Sequence, residues 1–488
     1  MARTAAAPLI LPPLDRAAAE PLHRQLYRHL RDAILQGRLP VRGRLPASRT
    51  LAQHLAVSRN TVVAALDQLM AEGYVDSRHG SGCRVAVRPV PPSLDHRSPE
   101  TAPDGQSRRV SQRVSQLISH EAPIFRRSLL PFEPGVTALD MFPAREWGRI
   151  LGRRWRHPSR ALMVGGDAAG YLPLRRAIAD YLGQGRGVRC SPDQVVVVAG
   201  SQQGLDLAAR VLLDPGDLAM VEDPGYGGLK GVLRACGAVP APVPVDAHGF
   251  DAVLAHRLWP TARLACVTPS HQFPSGATMP VERRLALIDW AAKVGGWIVE
   301  DDYDSDFRYA GHPIAALQGL DGNDRTIYCG TFSKSMFPAL RLGWLVVPRD
   351  LLATFLGVRR LVDMVPTLIT QAAMADFMEE GLFTAHLRRM RALYAERRQA
   401  ILDAAARYLG DGVPVTAADA GTNAIAWLPP GWDDDATARA ALTRGLGPAS
   451  LGHYRLHPGP PGLILGYGHM PLDQIDAAMQ ALAGLLRE

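Results

Sequence analysis

Between Pro21 and Gly37 apolar residues return every three or four positions, placing Leu22, Leu26, Leu30 and Ile34 on one face. That period predicts an amphipathic helix closed by the glycine. A second helical pattern opens at Leu45-Pro46-Ala47-Ser48 and turns Leu51, Ala52 and Leu55 inward. A third follows the turn at Ala56-Val57. Ser58 is placed to cap it, Val62, Leu66 and Leu69 form its buried side, and it ends near Gly73. The period then changes to two. Tyr74–Ser77 and Cys83–Val87 alternate like strands, and Arg78-His79-Gly80-Ser81-Gly82 joins them as a hairpin tip. Three helices and a β-hairpin predict a winged helix-turn-helix over residues 16–88.

The periodicity stops after this. Residues 89–124 begin with Pro89-Val90-Pro91-Pro92-Ser93 and continue with Ser, Arg and Gln, which predicts a linker. From 125 to 488, short apolar runs alternate with helical patterns. Gln194–Val198 leads into Gly200-Ser201-Gln202-Gln203-Gly204, and Leu218–Val221 into Glu222-Asp223-Pro224. Leu264–Val267, Trp297–Val299 and Thr326–Cys329 repeat the plan. Buried strands with polar loops at their carboxyl ends predict a mostly parallel α/β sheet, and ligands bind at that edge.

With 488 residues the chain exceeds one ordinary core, which agrees with separate domains. The net charge of +7 fits a polyanionic partner, but an arginine-rich composition accounts for it equally well. Five cysteines form no C-x-x-C pair and join no histidine cluster, so neither a disulfide framework nor a metal site is expected. The cysteine usage fits a reducing cytosol, so the reading is cytoplasmic, and no run of about 18 apolar residues occurs, so no membrane span is expected.

In the winged domain, the third helix presents Ser58, Arg59, Asn60 and Thr61 at its start. Arginine can read guanine, asparagine can read adenine, and hydroxyls hold phosphates. Arg49 is placed for the DNA backbone, and His79 and Gly80 at the wing tip for the minor groove. The implied partner is a double-stranded DNA operator.

In the α/β region the densest chemistry is Gly330-Thr331-Phe332-Ser333-Lys334-Ser335, with Arg341 following. Lys334 can form a Schiff base with an aldehyde, while Thr331, Ser333 and Arg341 can hold a phosphate. Upstream, Glu300-Asp301-Asp302-Tyr303 ends an apolar run, and a carboxylate there can pair with a pyridinium nitrogen. Together they point to pyridoxal 5′-phosphate (PLP). Ser201, in the turn after the first strand, suits the phosphate, and Tyr226 can stack on the ring.

Leu45-Pro46-Ala47-Ser48-Arg49, Val57–Val62, Glu72-Gly73-Tyr74 and His79-Gly80-Ser81-Gly82 resemble the GntR-type winged helix. The region from 125 onward resembles fold-type-I, aspartate-aminotransferase-like PLP enzymes. Joined in this order, with Glu222–Tyr226, Pro269–Gly276 and Glu300–Tyr303, the chain resembles the MocR/PdxR subfamily of GntR regulators. The resemblance implies that Lys334 carries the cofactor, Asp301 pairs with the ring nitrogen, Tyr303 donates to the phenolic oxygen and Tyr226 stacks. It gives the phosphate to Ser201, Gln202, Thr331, Ser333 and Arg341. It also implies that Tyr171 reaches the phosphate of a second subunit in a homodimer with shared sites.

Two positions depart from aminotransferases. Phe273 stands where those enzymes carry an asparagine touching the cofactor oxygen, so the contact is lost or passes to His271 or Gln272. No clear counterpart of their carboxylate-clamping arginine appears, and Arg455 is the nearest candidate. The resulting expectation is a regulator that senses PLP, or an amine or amino acid that reacts with it. The alternatives are a working aminotransferase with a DNA-binding appendage, and a DNA-tethered protein whose PLP fold is inert.

Overall fold

In the computed structural model, which describes residues 11–78, 82–86, 129–309 and 314–487, the first apolar repeat forms α1 (Leu22–Leu35) and fully buries Leu26 and Leu30. α2 (Ser48–His54) buries Leu51 and Ala52, and Leu55, expected within this helix, is instead its half-buried C-cap. α3 (Arg59–Ala71) begins where Ser58 accepts a hydrogen bond from the Thr61 amide, and Val62, Ala65, Leu66 and Leu69 face inward. β1 (Val75–Arg78) and β2 (Gly82–Val85) pair antiparallel, with Val75 opposite Val85 and Arg78 opposite Gly82. Apolar residues from all three helices and β1 share one core. Each fully buried leucine there contributes about 1.5–3 kcal/mol relative to exposure. The result is a winged helix-turn-helix. The chain divides into two compact units, within residues 1–108 and 109–488. The expected linker at 89–124 lies outside the described residues.

The second unit is built on a seven-stranded sheet. Its strands are β3 (Val195–Val198), β4 (Leu218–Asp223), β5 (Val239–Pro244), β6 (Leu264–Val267), β7 (Trp297–Asp302), β8 (Thr326–Thr331) and β9 (Gly343–Val346), in the order β3-β9-β8-β7-β6-β4-β5. β4 through β8 run parallel, and β9 lies antiparallel to both neighbours. The direction of β9 follows from the short Phe332–Leu342 loop, because a parallel crossover needs about a dozen residues or more. Both faces are covered. Val195 and Val197 pack with the helices Ala144–Arg156, Leu172–Arg186, Leu368–Glu379 and Leu382–Tyr408. Val196 and Val198 pack with Ser201–Leu212, Gly227–Cys236 and Leu352–Val362. Burial on both sides explains why these strands read as unbroken apolar runs.

A second sheet was not foreseen. β10 (Val415–Thr416), β11 (Asn423–Trp427), β12 (Ala449–Ser450) and β13 (Gly462–Gly466) form an antiparallel sheet ordered β10-β11-β13-β12. It shares a core with the helix Leu472–Leu485. Phe132 bridges Gly466, so the segment after Phe132 runs beside β13. A side chain at 466 would lie 2.3 Å from the Glu133 carbonyl oxygen, which reserves that position for glycine.

Candidate functional site

In the N-terminal unit, Ser58 Oγ accepts from the Thr61 amide at 3.1 Å and meets the Thr61 hydroxyl at 2.8 Å. The two hydroxyls close the start of α3, while Arg59 and Asn60 stand exposed beside them. Arg59 Nε reaches within 3.5 Å of Ser48 Oγ at the start of α2, where Arg49 is also exposed. Three further exposed arginines were missed by the sequence reading: Arg42, Arg44 and Arg84. Arg44 bridges Arg84, and Arg84 Nη1 donates to the Arg42 carbonyl at 3.3 Å. The Arg42-Gly43-Arg44 spacing and the alternation of β2 carried that signal. These five exposed guanidinium groups are joined by those of Arg16, Arg24, Arg28 and Arg38 among the described residues of this unit, a density that suits a polyanion. His79 and Gly80 lie outside the described residues.

In the C-terminal unit the carboxyl ends of β3, β4, β6, β7 and β8 converge on an open cleft with about 990 Å³ of atom-free space. Ser201 and Gln202 come from the turn after β3, and Tyr226 from the turn after β4. Thr268 follows β6, Asp301 and Tyr303 end β7, and Thr331, Ser333 and Lys334 end β8. Arg341 precedes β9 and also lines the cleft. Tyr171 does not. It caps the helix Leu172–Arg186, and its amide donates to Gln371 Oε1 at 2.8 Å.

Strand alternation sorts the three acids of β7. Glu300 and Asp302 share one face: Glu300 accepts from the Leu317 and Gln318 amides, each at 2.9 Å. Asp302 accepts from Arg186 Nε at 2.9 Å and from the Tyr328 hydroxyl at 2.6 Å. Asp301 points the other way, into the cleft, and its buried Oδ1 has no hydrogen-bond partner among the described residues. Burial, with Asp302 and Glu222 nearby, pushes its carboxyl up to about 7. Glu222 is likewise pushed up to about 7 by burial, although Thr268 and Gln272 donate to it.

At another wall, the Thr331 hydroxyl lies 3.1 Å from Ser333 Oγ, and the Ser333 amide donates to Thr331 Oγ1 at 3.1 Å. Gly200 adopts φ +90°, and a Cβ there would meet the Arg341 guanidinium carbon at 3.3 Å. Glycine thus lets the strand-to-helix turn pass beside Arg341. Lys334 Nζ donates to the Gly135 carbonyl at 3.1 Å. The Tyr226 hydroxyl donates to Gln202 Oε1 at 2.9 Å. Burial, with Asp304 and Asp301 close by, raises the Tyr303 phenol well above its ordinary value, so Tyr303 stays a donor.

Of the alternatives left open at Phe273, transfer of the contact to His271 or Gln272 does not occur, since neither lines the cleft. His271 Nδ1 lies 2.9 Å from the Asp304 carboxylate and 3.0 Å from the Tyr303 hydroxyl, which makes it a positioning residue for Tyr303. Gln272 is buried, donating to Pro224 and Glu222 and accepting from Ser275. Arg455, the clamp candidate, also stays out of the cleft, and its Nη2 donates to the Pro460 carbonyl at 3.2 Å. Phe273 does reach the cleft, edge-on to Tyr303 and Tyr454. The sequence reading missed Asn423, at the start of β11, together with Pro134, Gly135 and Val136. Local pattern carried no cue for them, because the small sheet brings them in.

The cleft suits PLP on its own donor set. It offers an orphaned carboxylate for a protonated ring nitrogen, hydroxyls with an arginine for a phosphate, and one amine for an aldehyde. The chain has three lysines, Lys230, Lys293 and Lys334, and Lys334 alone lines this cleft.

Comparison with known proteins agrees with both halves. Residues 22–85 match the family model for bacterial regulatory proteins of the gntR family, and residues 152–445 match aminotransferase class I and II. The chain is 41% identical to the probable rhizopine catabolism regulatory protein MocR of Rhizobium meliloti, over 93% of this chain and 91% of that protein. It is 32% identical to the pyridoxine biosynthesis transcriptional regulator PdxR of Corynebacterium glutamicum, over 91% of each. Among solved structures it is similar to LysN, the α-aminoadipate aminotransferase of Thermus thermophilus complexed with N-(5′-phosphopyridoxyl)-L-leucine. That match has a TM-score of 0.69 at 27% identity and covers 77% of this chain and 95% of LysN. A kynurenine aminotransferase from Pyrococcus horikoshii matches with a TM-score of 0.69 at 25% identity, over 78% of this chain and 95% of that one.

Proposed function

Because this chain belongs to the MocR/PdxR type of GntR transcriptional regulators, we propose that it holds PLP at Lys334 and that the state of this site sets how its winged helices grip operator DNA. The observation that carries the reading is the orphaned Asp301 carboxylate facing the same cleft as Lys334, Arg341 and the Thr331–Ser333 hydroxyls. When bound, PLP supplies an aldehyde for amines and an electron-withdrawing ring. The chain's residues then have separate tasks. Asp301 keeps the ring nitrogen protonated, Tyr303, oriented by His271, donates to the phenolic oxygen, and Tyr226 stacks. Ser201, Gln202, Thr331, Ser333 and Arg341 hold the phosphate.

Lys334 is the mobile element of this reading. Its Nζ binds the Gly135 carbonyl, on the segment that runs beside the small sheet. With PLP held there, an amine competing with Lys334 for the aldehyde would change which groups that segment touches. A ligand shifts an equilibrium only through such differential contacts. Efficient transamination also needs a carboxylate clamp to aim the substrate's Cα–H bond. Arg341 is the one arginine among the described residues lining the cleft, and this reading gives it to the phosphate. Sensing without rapid turnover follows.

The homodimer belongs to the same reading. Met163, Val164, Leu361 and Met364 are strongly exposed, and the helix Arg160–Val164 packs on Leu368–Glu379. They provide apolar surface for a second copy, and two paired winged helices gain effective concentration on a two-part operator.

The test joins both ends of the chain. Full-length protein is loaded with PLP, reduced with borohydride and digested. The pyridoxyl label is expected on Lys334, not on Lys230 or Lys293, and is absent from Lys334→Ala. In portions of the same protein kept unreduced and undigested, operator affinity should change with PLP or with a reacting amine. Label on another lysine, or DNA affinity indifferent to PLP and to every amine beside sustained transamination, would sink the reading.

A separate result is expected for DNA. Arg59→Ala should weaken operator binding by about 1–3 kcal/mol if Arg59 reads a base. Titrations at several salt concentrations should show affinity falling steeply with salt, since phosphate contacts release counterions. An operator affinity unchanged in Arg59→Ala would assign base reading to other side chains.

A further inference from the structure

The cleft holds one polar group that the reading above leaves unused. Asn423 lines it, and Asn423 Oδ1 is buried with no hydrogen-bond partner among the described residues. A buried acceptor without a donor costs about 1–3 kcal/mol, so a ligand donor placed there recovers a useful amount. The backbone around it is firmly held. Asn423 pairs with Gly466 in the small sheet, the Tyr467 amide donates to the Thr422 carbonyl at 2.9 Å, and the Gly421 carbonyl accepts from the Tyr467 and Tyr309 hydroxyls. At Gly421 a Cβ would collide with the His271 ring, which pins the turn before Asn423 against the large-sheet loops. Asn423 is therefore preorganised.

Its position is at the amine end of the cleft. Its strand partner Gly466 packs directly against Glu133 and Pro134, and the next residue, Gly135, receives Lys334 Nζ. The cleft lining includes Val136, Phe273, Pro338 and Asn423, and its one arginine among the described residues is Arg341, assigned above to the phosphate. A ligand carboxylate would meet no free cation here among the described residues to offset its desolvation. A hydroxyl would supply the missing donor.

We propose that the cleft selects a primary amine carrying a neutral hydrogen-bond donor and no carboxylate, and that Asn423 is the residue that reads this donor. The inference rests on Lys334 being the cofactor's attachment point. It assigns the class of effector by the chemistry of the walls: an amino alcohol is accepted and the matching α-amino acid is disfavoured.

L-Alaninol and L-alanine test it, since they differ in carrying a hydroxymethyl or a carboxylate group. Full-length PLP-loaded protein is titrated with each, following the cofactor's absorption band. L-Alaninol is expected to half-saturate the change at a concentration at least about tenfold lower than L-alanine, the factor set by one net hydrogen bond. Asn423→Leu should raise the L-alaninol value about tenfold and leave L-alanine unchanged. Asn423→Asp keeps the acceptor and should retain the L-alaninol response while weakening L-alanine further. If Asn423→Leu does not fold, Asn423→Ala serves in its place. The proposal is overturned if L-alanine saturates at equal or lower concentration, if neither compound alters the band of unreduced PLP-loaded protein whose reduced sample carries the label at Lys334, or if the preference survives loss of the acceptor. Absence of borohydride label at Lys334 would instead remove the reading of the site, and this inference with it.

Discussion

Asp301→Asn is expected to stabilise the cofactor-free protein while stripping it of its grip on PLP. In the free protein the Asp301 carboxyl is pushed up to about 7, first by burial and then by Asp302, Glu222 and Asp304, with Lys334 opposing. A carboxyl whose folded pKa lies above its unfolded value binds more protons when folded. The stability tied to its protonated form is complete below about pH 4 and is lost as pH rises through 7. Asparagine has no such loss. The difference in unfolding free energy between Asp301→Asn and the parent should therefore be small at pH 4, grow up to about pH 7 and then level off. Its final size should be on the order of 2–4 kcal/mol. Taking the difference cancels groups that titrate in the same range, such as His386, whose pKa burial lowers to about 4. With PLP the sign reverses, because a buried cation would lose its partner at a cost of about 3–5 kcal/mol, or roughly 10²–10⁴-fold in affinity. Denaturant titrations at several pH values check the first half and equilibrium dialysis with PLP the second. A difference flat with pH, or PLP affinity unchanged in Asp301→Asn, would show that Asp301 is not the ring's partner.

The second large effect is expected at Arg186. Its guanidinium holds Asp302 through Nε at 2.9 Å and Nη2 at 2.8 Å, and it also donates to Ser270 Oγ at 2.6 Å and to the Ile314 carbonyl at 2.8 Å. Arg186 and Asp302 are both buried. Arg186→Met leaves a buried carboxylate with its countercharge removed, and the expected cost is about 3–5 kcal/mol. Adding Asp302→Asn removes that stranded charge while keeping an acceptor for the Tyr328 hydroxyl. The double variant should therefore recover a large part of the loss, giving a coupling energy of a few kcal/mol in a thermal or denaturant cycle. Because Asp302 is the neighbour of Asp301 on β7, PLP affinity should fall in the single variant and return in the double one. Additive losses would mean that Arg186 acts through packing and not through the charge of Asp302.

What the sequence determined by itself was whatever depends on near neighbours. The winged helix was legible because 3.6-residue and two-residue periods, a capping serine and closing glycines act within a few residues. The strands of the large sheet were legible because strands buried on both faces must be apolar throughout. Lys334, Thr331, Ser333 and Arg341 lie within one turn and the short loop after it, so their common chemistry could be read in a row.

What only the tertiary structure decided was every matter that joins distant segments. Three acids stand consecutively at 300–302, and their division of labour came from Arg186 and the Leu317–Gln318 amides reaching two of them. The direction of β9 came from a loop too short to cross the sheet. His271, Gln272 and Arg455 looked available for the ligand in sequence, but Asp304, Glu222 and the Pro460 carbonyl engage them instead. Asn423 had no signal at all, and it reached the cleft only because β11 and β13 pair beside the segment that follows Phe132. The physical reason is the same in each case: periodicity and capping are set by bonds a few residues long, whereas the partner of a buried polar group is set by which strands and helices pack together.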